Sequence, residues 1–352
     1  MGIVRASTRW LALAALLLAC APAGASAFSK AIWGPLERGG VSQFPMYKSL
    51  GVSIYEADLW WSNVATRRPV NPTDPNDPAY HWPDDLGRAM AAANRFHIRV
   101  LLQVIQAPGW ANGGRSTNWA PTHVGDYAAF VTAAARRYPG VHLWMIWGEP
   151  TRRQNFQPLT PAPPQGKLNA AQQLAPHTYA RILDSAYVAL KRVSPRNLVI
   201  GGCTYTAGEI RTEQWIRNLR LPSGRVPRMD IYAHNPFSWQ APNFSRPPSP
   251  NGTVQFSDLP RLATWIDRYL HRPLPIFLSE WTIPTRHDGQ FNFWVDPPVA
   301  AQWITRALAM ARSWRRIYGL GWINVYDTPP VSYGGLLTAG GDRKPSFYAF
   351  AR

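Results

Sequence analysis

The chain has 352 residues, of which 46% are hydrophobic and 16% are charged. This balance supports a large buried core and excludes an intrinsically disordered protein. The formal net charge of +17 comes almost wholly from arginine, because only five lysines occur. Such a charge suits an acidic polymer or a cell-envelope partner. An arginine-rich and lysine-poor chain more often reflects a GC-rich genome, and we favour that interpretation. No basic run or nucleic-acid-binding motif accompanies the charge, so we expect no nucleic-acid partner.

The first 27 residues differ from the rest of the chain. Two arginines precede an apolar stretch over residues 10–18, and Ala25-Ser26-Ala27 offers a small-residue cleavage site. This pattern predicts a secretory signal peptide over 1–27 and a mature domain over 28–352. We therefore expect a protein that is secreted or held in the periplasm or cell envelope. No run reaches 18 apolar residues, so no integral membrane segment is expected.

The two cysteines, Cys20 and Cys203, lead to different expectations. Cys20 follows Leu17-Leu18-Ala19, which loosely resembles a lipoprotein cleavage box, so a lipid anchor is an alternative to release after Ala27. Cleavage after Ala27 would leave Cys203 alone and exclude an intramolecular disulfide. Cys203 lies in an apolar run, where we expect a buried structural thiol.

Short apolar runs alternate with amphipathic segments, a pattern typical of repeated βα units. The candidate strands are 31–34, 52–57, 98–105, 141–147, 198–203, 229–234, 275–279 and 319–325. The candidate helices are 84–96, 122–138, a stripe over 179–190 with Pro176 in the first turn, 259–270 and 298–318. These elements predict a single-domain α/β fold, a (β/α)8 TIM barrel. No glycine-rich phosphate turn follows the first strand, which disfavours a doubly wound open sheet.

Two long proline-rich segments follow predicted strands. Gln157–Pro176 comes after the fourth strand and Ser238–Gln255 after the sixth. Long loops at the C-terminal face of a barrel commonly build the substrate site. We predict that both segments form walls of a cleft.

Two of the six glutamates directly follow strand-like apolar runs. Glu149 ends the run that begins at His142, and Glu280 ends the run that begins at Leu274. A carboxylate at the C-terminal end of a barrel strand faces the active site. Retaining glycoside hydrolysis needs two carboxylates, one to protonate the leaving oxygen and one to attack the anomeric carbon. The alternative, a pair of solvated or ion-paired structural acids, remains open.

Around these glutamates the sequence resembles clan A glycoside hydrolases. Trp147-Gly148-Glu149-Pro150 resembles their Asn-Glu-Pro acid/base motif, and Leu278-Ser279-Glu280-Trp281 resembles their nucleophile strand. The runs 108–112 and 230–234 are most similar to family 39, with the family 5 cellulases next. The resemblance covers most of residues 30–327. It implies a cofactor-free hydrolase of an oligo- or polysaccharide. It assigns Glu149 as acid/base and Glu280 as nucleophile.

The resemblance fails at Gly148, where the family has asparagine. That asparagine hydrogen-bonds the 2-hydroxyl of the reacting sugar, and glycine has no side chain to do so. Gln103, Asn112 and Asn235 are the candidates to supply the contact instead. A non-catalytic carbohydrate-binding barrel that has lost turnover is the alternative, and a scaffold tethered through Cys20 is a further one.

The remaining site predictions concern polar and aromatic residues at strand ends. We expect His234 to bind substrate or orient Glu280, with Tyr232 on the same strand face. Aromatic rings can stack on sugars, which suggests Trp110, Trp281, Trp322 and Tyr326 as substrate-binding residues. Weaker candidates of the same kind are Trp60, Trp61, Glu56, Asp58 and Asn324.

Other catalytic classes find little support. The eight histidines form no H-x-x-x-H pair and no G-x-S-x-G occurs, which disfavours a metal site and a serine hydrolase. We expect no metal, no cofactor and a monomeric protein.

Overall fold

The computed structural model describes residues 28–352. The predicted signal peptide and lipid anchor at Cys20 lie outside these residues. Eight parallel strands close into a barrel: β1 (Ser29–Trp33), β2 (Val52–Trp60), β3 (Arg99–Ile105), β4 (Leu143–Ile146), β5 (Leu198–Tyr205), β6 (Ile231–Asn235), β7 (Ile276–Trp281) and β8 (Ile317–Trp322). Each predicted strand corresponds to one of these, and β1 pairs with both β2 and β8. The predicted (β/α)8 barrel is therefore confirmed.

Helices surround the barrel, and short helices of four to seven residues lie in several of its loops. They are α1 (Phe44–Ser49), α2 (Trp61–Val64), α3 (Asp84–Arg95), α4 (Gly109–Asn112), α5 (Val124–Arg137), α6 (Ala170–Val193), α7 (Thr212–Asn218), α8 (Leu259–Leu270), α9 (Pro297–Ser313) and α10 (Pro345–Ala351). A two-stranded hairpin pairs Glu37–Arg38 with Val41–Ser42. Within residues 28–352 no helix is long and apolar enough to cross a membrane.

Two helix boundaries differ from the sequence prediction. The placement of Pro176 in the first turn of its helix was wrong, because α6 begins six residues earlier, at Ala170. A capping box sets this start: Asn169 Oδ1 accepts from the Gln172 backbone N–H at 3.0 Å, and Gln172 Oε1 accepts from the Asn169 N–H at 3.0 Å. The last predicted helix ends at Ser313, since the chain from Ile317 onward pairs in β8.

The apolar side chains form an inner and an outer core. The inner core fills the barrel and includes Ile54, Met145, Ile200, Cys203 and Phe277. The outer core lies between the strands and the helices, where α8 buries one face of apolar residues spaced three or four apart. Cys203 is fully buried, as predicted, and burial raises the pKa of its thiol, which keeps it protonated and unreactive.

Two buried lysines secure the C-terminal part of the chain. Lys30 of β1 donates from Nζ to the carbonyl oxygen of Phe350 at 2.7 Å, and burial lowers its pKa to about 8. Lys344 Nζ lies 2.8 and 3.0 Å from the two carboxylate oxygens of Asp327 and donates to Tyr333 O at 2.9 Å. Both side chains of this ion pair are more than nine-tenths buried. The pair fixes the segment between β8 and α10.

Candidate active site

Glu149 is held by a strained turn at the end of β4. Trp147 has φ 64° and Glu149 has φ 42°, a left-handed conformation that costs free energy for residues other than glycine. Two contacts secure the turn: the Trp147 N–H donates to Val104 O at 3.0 Å, and Trp147 Nε1 donates to Asn155 O at 2.8 Å. The turn thereby fixes the direction of the Glu149 side chain.

The Glu149 carboxylate accepts hydrogen bonds from three side chains. Arg152 Nη1 and Asn155 Nδ2 donate to Oε2 at 3.0 and 3.1 Å, and Asn235 Nδ2 donates to Oε1 at 3.0 Å. Glu149 is 6% exposed, so one guanidinium and two amides replace most of its water.

Glu280, the penultimate residue of β7, shares a partner with Glu149. Asn235 accepts at Oδ1 from the Glu280 backbone N–H at 3.2 Å while its Nδ2 binds Glu149. Burial and the negative charges of Glu149 and Asp58 raise the pKa of Glu280 well above its usual range, although Arg152 opposes this. The structure therefore brings the two predicted carboxylates together around one amide. We call them the carboxylate pair.

Two further acids lie on β2 beside the carboxylate pair. Glu56 is 1% exposed; its Oε2 accepts from Ser279 Oγ at 2.7 Å, and its Oε1 has no partner among the described residues. Burial raises the pKa of Glu56, and the charges of Glu280 and Asp58 add to the effect. Burial likewise raises the pKa of Asp58. These acids and several aromatic residues line a pocket of about 510 Å³, the acidic pocket, which includes Trp33, Tyr55, Glu56, Asp58 and Trp60.

Gln103 occupies the space beside Gly148. A Cβ on Gly148 would lie 3.0 Å from both terminal atoms of the Gln103 amide. The same amide donates from Nε2 to Asp58 Oδ1 at 2.8 Å. Gly148 does not have a positive φ, so its backbone does not require glycine. Gln103 thus occupies the space that a side chain at position 148 would need. Gln103 and Asn235 are the two predicted amides that the structure places at the site.

His234 and Tyr232 are fully buried and face away from the carboxylate pair. His234 Nε2 donates to Val254 O at 2.9 Å, and its Nδ1 accepts from the Thr204 hydroxyl at 2.8 Å. Burial lowers the pKa of His234 to about 4, so the ring is neutral. Tyr232 contacts the same Thr204 hydroxyl at 3.2 Å. His234 holds the second proline-rich segment against the barrel through Val254, and neither of its ring nitrogens is left to bind substrate.

The other predicted substrate-binding residues are engaged in packing. Trp281 and Trp322 are fully buried and pack edge to face at 5.7 Å between ring centroids. Trp110 donates from Nε1 to Ala65 O at 2.7 Å, and the Tyr326 hydroxyl binds the Gln43 side chain. Asn112 is buried, and its amide binds backbone groups at Ala107, Ser116 and Arg115. The structure does not bring these side chains to the carboxylate pair.

Three residues at the site were not predicted from the sequence. Arg152 and Asn155 follow Glu149 in the same loop, and their approach depends on the tight turn at Trp147. The third, Tyr205, ends β5 and lies under the Arg152 guanidinium at 4.4 Å. The only signal in the sequence for Arg152 was its position three residues after Glu149, and such a spacing of a cation and an acid is common on protein surfaces. Within residues 28–352 no group of three His, Cys, Asp or Glu side chains could hold a metal ion.

Comparison with known proteins relates this chain to others through its fold. No protein-family model and no characterised protein sequence matches it. Its structure is similar to a family 39 glycoside hydrolase from the gut symbiont Bacteroides cellulosilyticus WH2, with 18% identity and a TM-score of 0.66, covering 93% of this chain and 63% of that one. A monomeric β-xylosidase from Caulobacter crescentus CB15 is 18% identical with a TM-score of 0.62, covering 92% of this chain and 67% of that one. A glucosidase from Croceicoccus marinus is 14% identical with a TM-score of 0.63, covering 93% of this chain and 67% of that one. The chain thus spans about two thirds of the length of these barrel proteins.

Proposed function

We propose that this protein is an exported retaining glycoside hydrolase that cleaves O-glycosidic bonds of an oligo- or polysaccharide. The observation that carries the proposal is the carboxylate pair, which β4 and β7 deliver to one site and Asn235 links. Glu280 attacks the anomeric carbon to form a glycosyl-enzyme while Glu149 protonates the leaving oxygen. Glu149 then takes a proton from water, which releases the sugar. The glycosidases among the structurally similar proteins support this assignment.

The reaction requires an ionised Glu280, and the surroundings of that carboxylate oppose its ionisation. Burial and the negative charges of Glu149 and Asp58 raise the pKa of Glu280 well above its usual range, and the Arg152 charge opposes the rise. Catalysis needs an acid at Glu149 and an anion at Glu280. We propose that Arg152, which donates to Glu149 at 3.0 Å, also keeps Glu280 able to ionise at the pH of the reaction.

Replacing Arg152 with methionine is expected to move the acidic limb of the pH–rate profile to higher pH. The active form needs ionised Glu280, so activity is lost as pH falls through the raised pKa of that group. The Arg152 charge opposes the rise, and its removal raises the pKa further. The measurement is kcat/KM against pH. Arg153→Met removes a neighbouring exposed charge as a control, and an unmoved limb in Arg152→Met would contradict the proposed role of Arg152.

Gly148→Asn is expected to destabilise the protein by about 1–3 kcal/mol through overpacking against Gln103. The displaced amide would also lose its 2.8 Å hydrogen bond to Asp58. The double variant Gly148→Asn, Gln103→Ala makes room for the new side chain and should recover both stability and kcat/KM. Urea unfolding and initial rates measure the two effects. Equal losses in the single and double variants would show that Gln103 does not substitute for the family asparagine.

A substrate screen with product analysis tests the proposed function. The protein comprising residues 28–352 is incubated with aryl glycosides and polysaccharides, and NMR follows the configuration of the first product. Turnover with a retained configuration supports the mechanism, and an inverted product contradicts it. Glycan binding without turnover on any substrate supports the alternative, a carbohydrate-binding barrel.

N-terminal sequencing and mass analysis of the exported protein test cleavage after Ala27 against lipid attachment at Cys20.

A further inference from the structure

A second pocket lies apart from the residues of the carboxylate pair and the acidic pocket. Its volume is about 490 Å³, and the loops that follow β4, β5 and β6 form its walls together with the starts of α7 and α8. One acidic side chain, Glu213, lines it together with four cationic ones: Lys167, Arg211, Arg217 and Arg261. We call it the basic pocket.

Two of these four cations have a carboxylate partner. Arg217 pairs with Glu213 at 3.1 Å, and Arg261 pairs with Asp258 at 3.1 Å. No ion pair among residues 28–352 includes Lys167 or Arg211. Burial lowers the pKa of Arg211, and the nearby charge of Glu209 opposes the shift only in part. The basic pocket therefore keeps an excess of positive charge.

The walls of the basic pocket are held in place by hydrogen bonds and close packing. Gln214 Nε2 donates to Pro163 O at 3.0 Å and to Gly166 O at 3.2 Å, which holds the loop that carries Lys167. Gly252 has φ +66°, and a Cβ there would lie 3.2 Å from Pro164 O. Only glycine allows the 249–252 turn to approach this closely. The pocket is thus a preformed cavity rather than a group of mobile surface cations.

Hydrogen bonds connect the basic pocket to the loop that carries Arg152, the guanidinium partner of Glu149. The Arg153 backbone N–H donates to Glu209 Oε2 at 3.2 Å, and the Ala162 N–H donates to Glu209 O at 2.9 Å. Arg211 follows two residues later and donates from Nη1 to Gly208 O at 2.9 Å. The loop that follows Glu149 is therefore bonded to the segment that carries Arg211 into the basic pocket.

We infer that the basic pocket binds an oxyanion group, a carboxylate, sulfate or phosphate, supplied by a polysaccharide substituent or by a free anion. Guanidinium and ammonium groups form charge-assisted hydrogen bonds with such oxygens. The side chain of Trp265, which also lines the pocket, provides an apolar surface for the carbon skeleton of an acidic sugar.

Calorimetric titration with inorganic sulfate and phosphate at constant ionic strength tests the site. Saturable binding is expected, and Lys167→Gln or Arg211→Gln should weaken it about tenfold, the loss of one charge-assisted hydrogen bond. Lys167 is exposed, so its variant keeps the fold even if Arg211→Gln does not. Arg315→Gln removes an exposed arginine just before β8, at the opposite end of the barrel, and should bind as the parent does. Absence of saturation, or equal affinity in all variants, overturns the inference.

A second titration distinguishes the two sources of the oxyanion. Glu280→Gln protein, which need not turn over, is titrated with uronate-containing or sulfated oligosaccharides and with neutral ones of equal length. Tighter binding of the charged oligosaccharide than of the free anion, lost in Lys167→Gln, identifies a polysaccharide substituent. Equal affinity for the oligosaccharide and the free anion identifies a free-anion site. Because these measurements need no catalysis, failure of the proposed hydrolase activity would not alter them.

Discussion

Glu280→Gln is expected to abolish turnover, and Glu149→Gln is expected to lower kcat by about 10²–10⁴-fold on substrates with poor leaving groups. Glutamine keeps the shape of the side chain, but it neither attacks the anomeric carbon nor donates a proton. The Glu149→Gln loss should shrink on aryl glycosides whose leaving group departs without protonation. Initial rates on a series of leaving groups measure both effects. Glu37→Gln, which changes an exposed acid of the hairpin, is the matched control.

Stability measurements on the same variants separate a catalytic role from a structural one. The raised pKa of Glu280 means that its ionisation opposes folding, and this cost appears as pH rises through the folded-state pKa. A neutral glutamine removes that cost, so Glu280→Gln should unfold at a higher temperature than the parent near neutral pH. An inactive variant of raised stability fits a catalytic carboxylate. A variant that is inactive because it unfolds more readily would point to a structural acid instead.

Lys344→Met is expected to destabilise the protein by about 3–5 kcal/mol, because it leaves the buried Asp327 carboxylate without its cation. Asp327 would keep the hydrogen bond from the Gly335 N–H at 2.8 Å, which replaces little of the lost attraction. Urea unfolding at neutral pH measures the loss. Lys48→Met, at an exposed position in α1, should change stability by less than about 0.5 kcal/mol.

A double variant tests the origin of that effect. Lys344→Met combined with Asp327→Leu removes both charges, and apolar replacement of a buried ion pair is often neutral. We therefore expect the double variant to recover most of the stability lost in Lys344→Met. A loss below about 1 kcal/mol in the single variant would mean that water reaches Asp327 and solvates it.

The eight strands and the carboxylate pair could be predicted because both depend on local patterns. A buried parallel strand is a short apolar run, and a polar residue at its C-terminal end reaches the open face of the barrel. Glu149 and Glu280 satisfy this rule without knowledge of any neighbour in space. The α8 boundaries were predicted for a similar reason, since one apolar face defines them.

Alternation along a strand explains which site predictions the structure does not support. Neighbouring residues point to opposite faces, so Asn235 and His234 cannot both reach the carboxylate pair. The same rule separates Glu280 from Trp281, which packs among the helices. Tyr232 shares the face of His234 and is buried with it.

The contacts between distant segments could not be predicted from a single sequence. Gln103 on β3 fills the space beside Gly148 after β4, and only the register of the barrel shows that these positions meet. The basic pocket likewise combines side chains from three loops that are separated by many residues. No periodicity in the chain records such proximity.

The closure of the barrel also determines when this protein can finish folding. Ser29 of β1 pairs with Gly319 of β8, 290 residues later, and Lys30 binds the backbone of α10. At a synthesis rate of about 5–20 residues per second, one edge of β1 stays unpaired for about 15–60 seconds before β8 is made. Throughout that time the edge is open to pairing with other chains. A circular permutant that joins the present ends and opens at a later loop would transfer this delay to another strand, because in a closed barrel the first strand synthesised always pairs with the last.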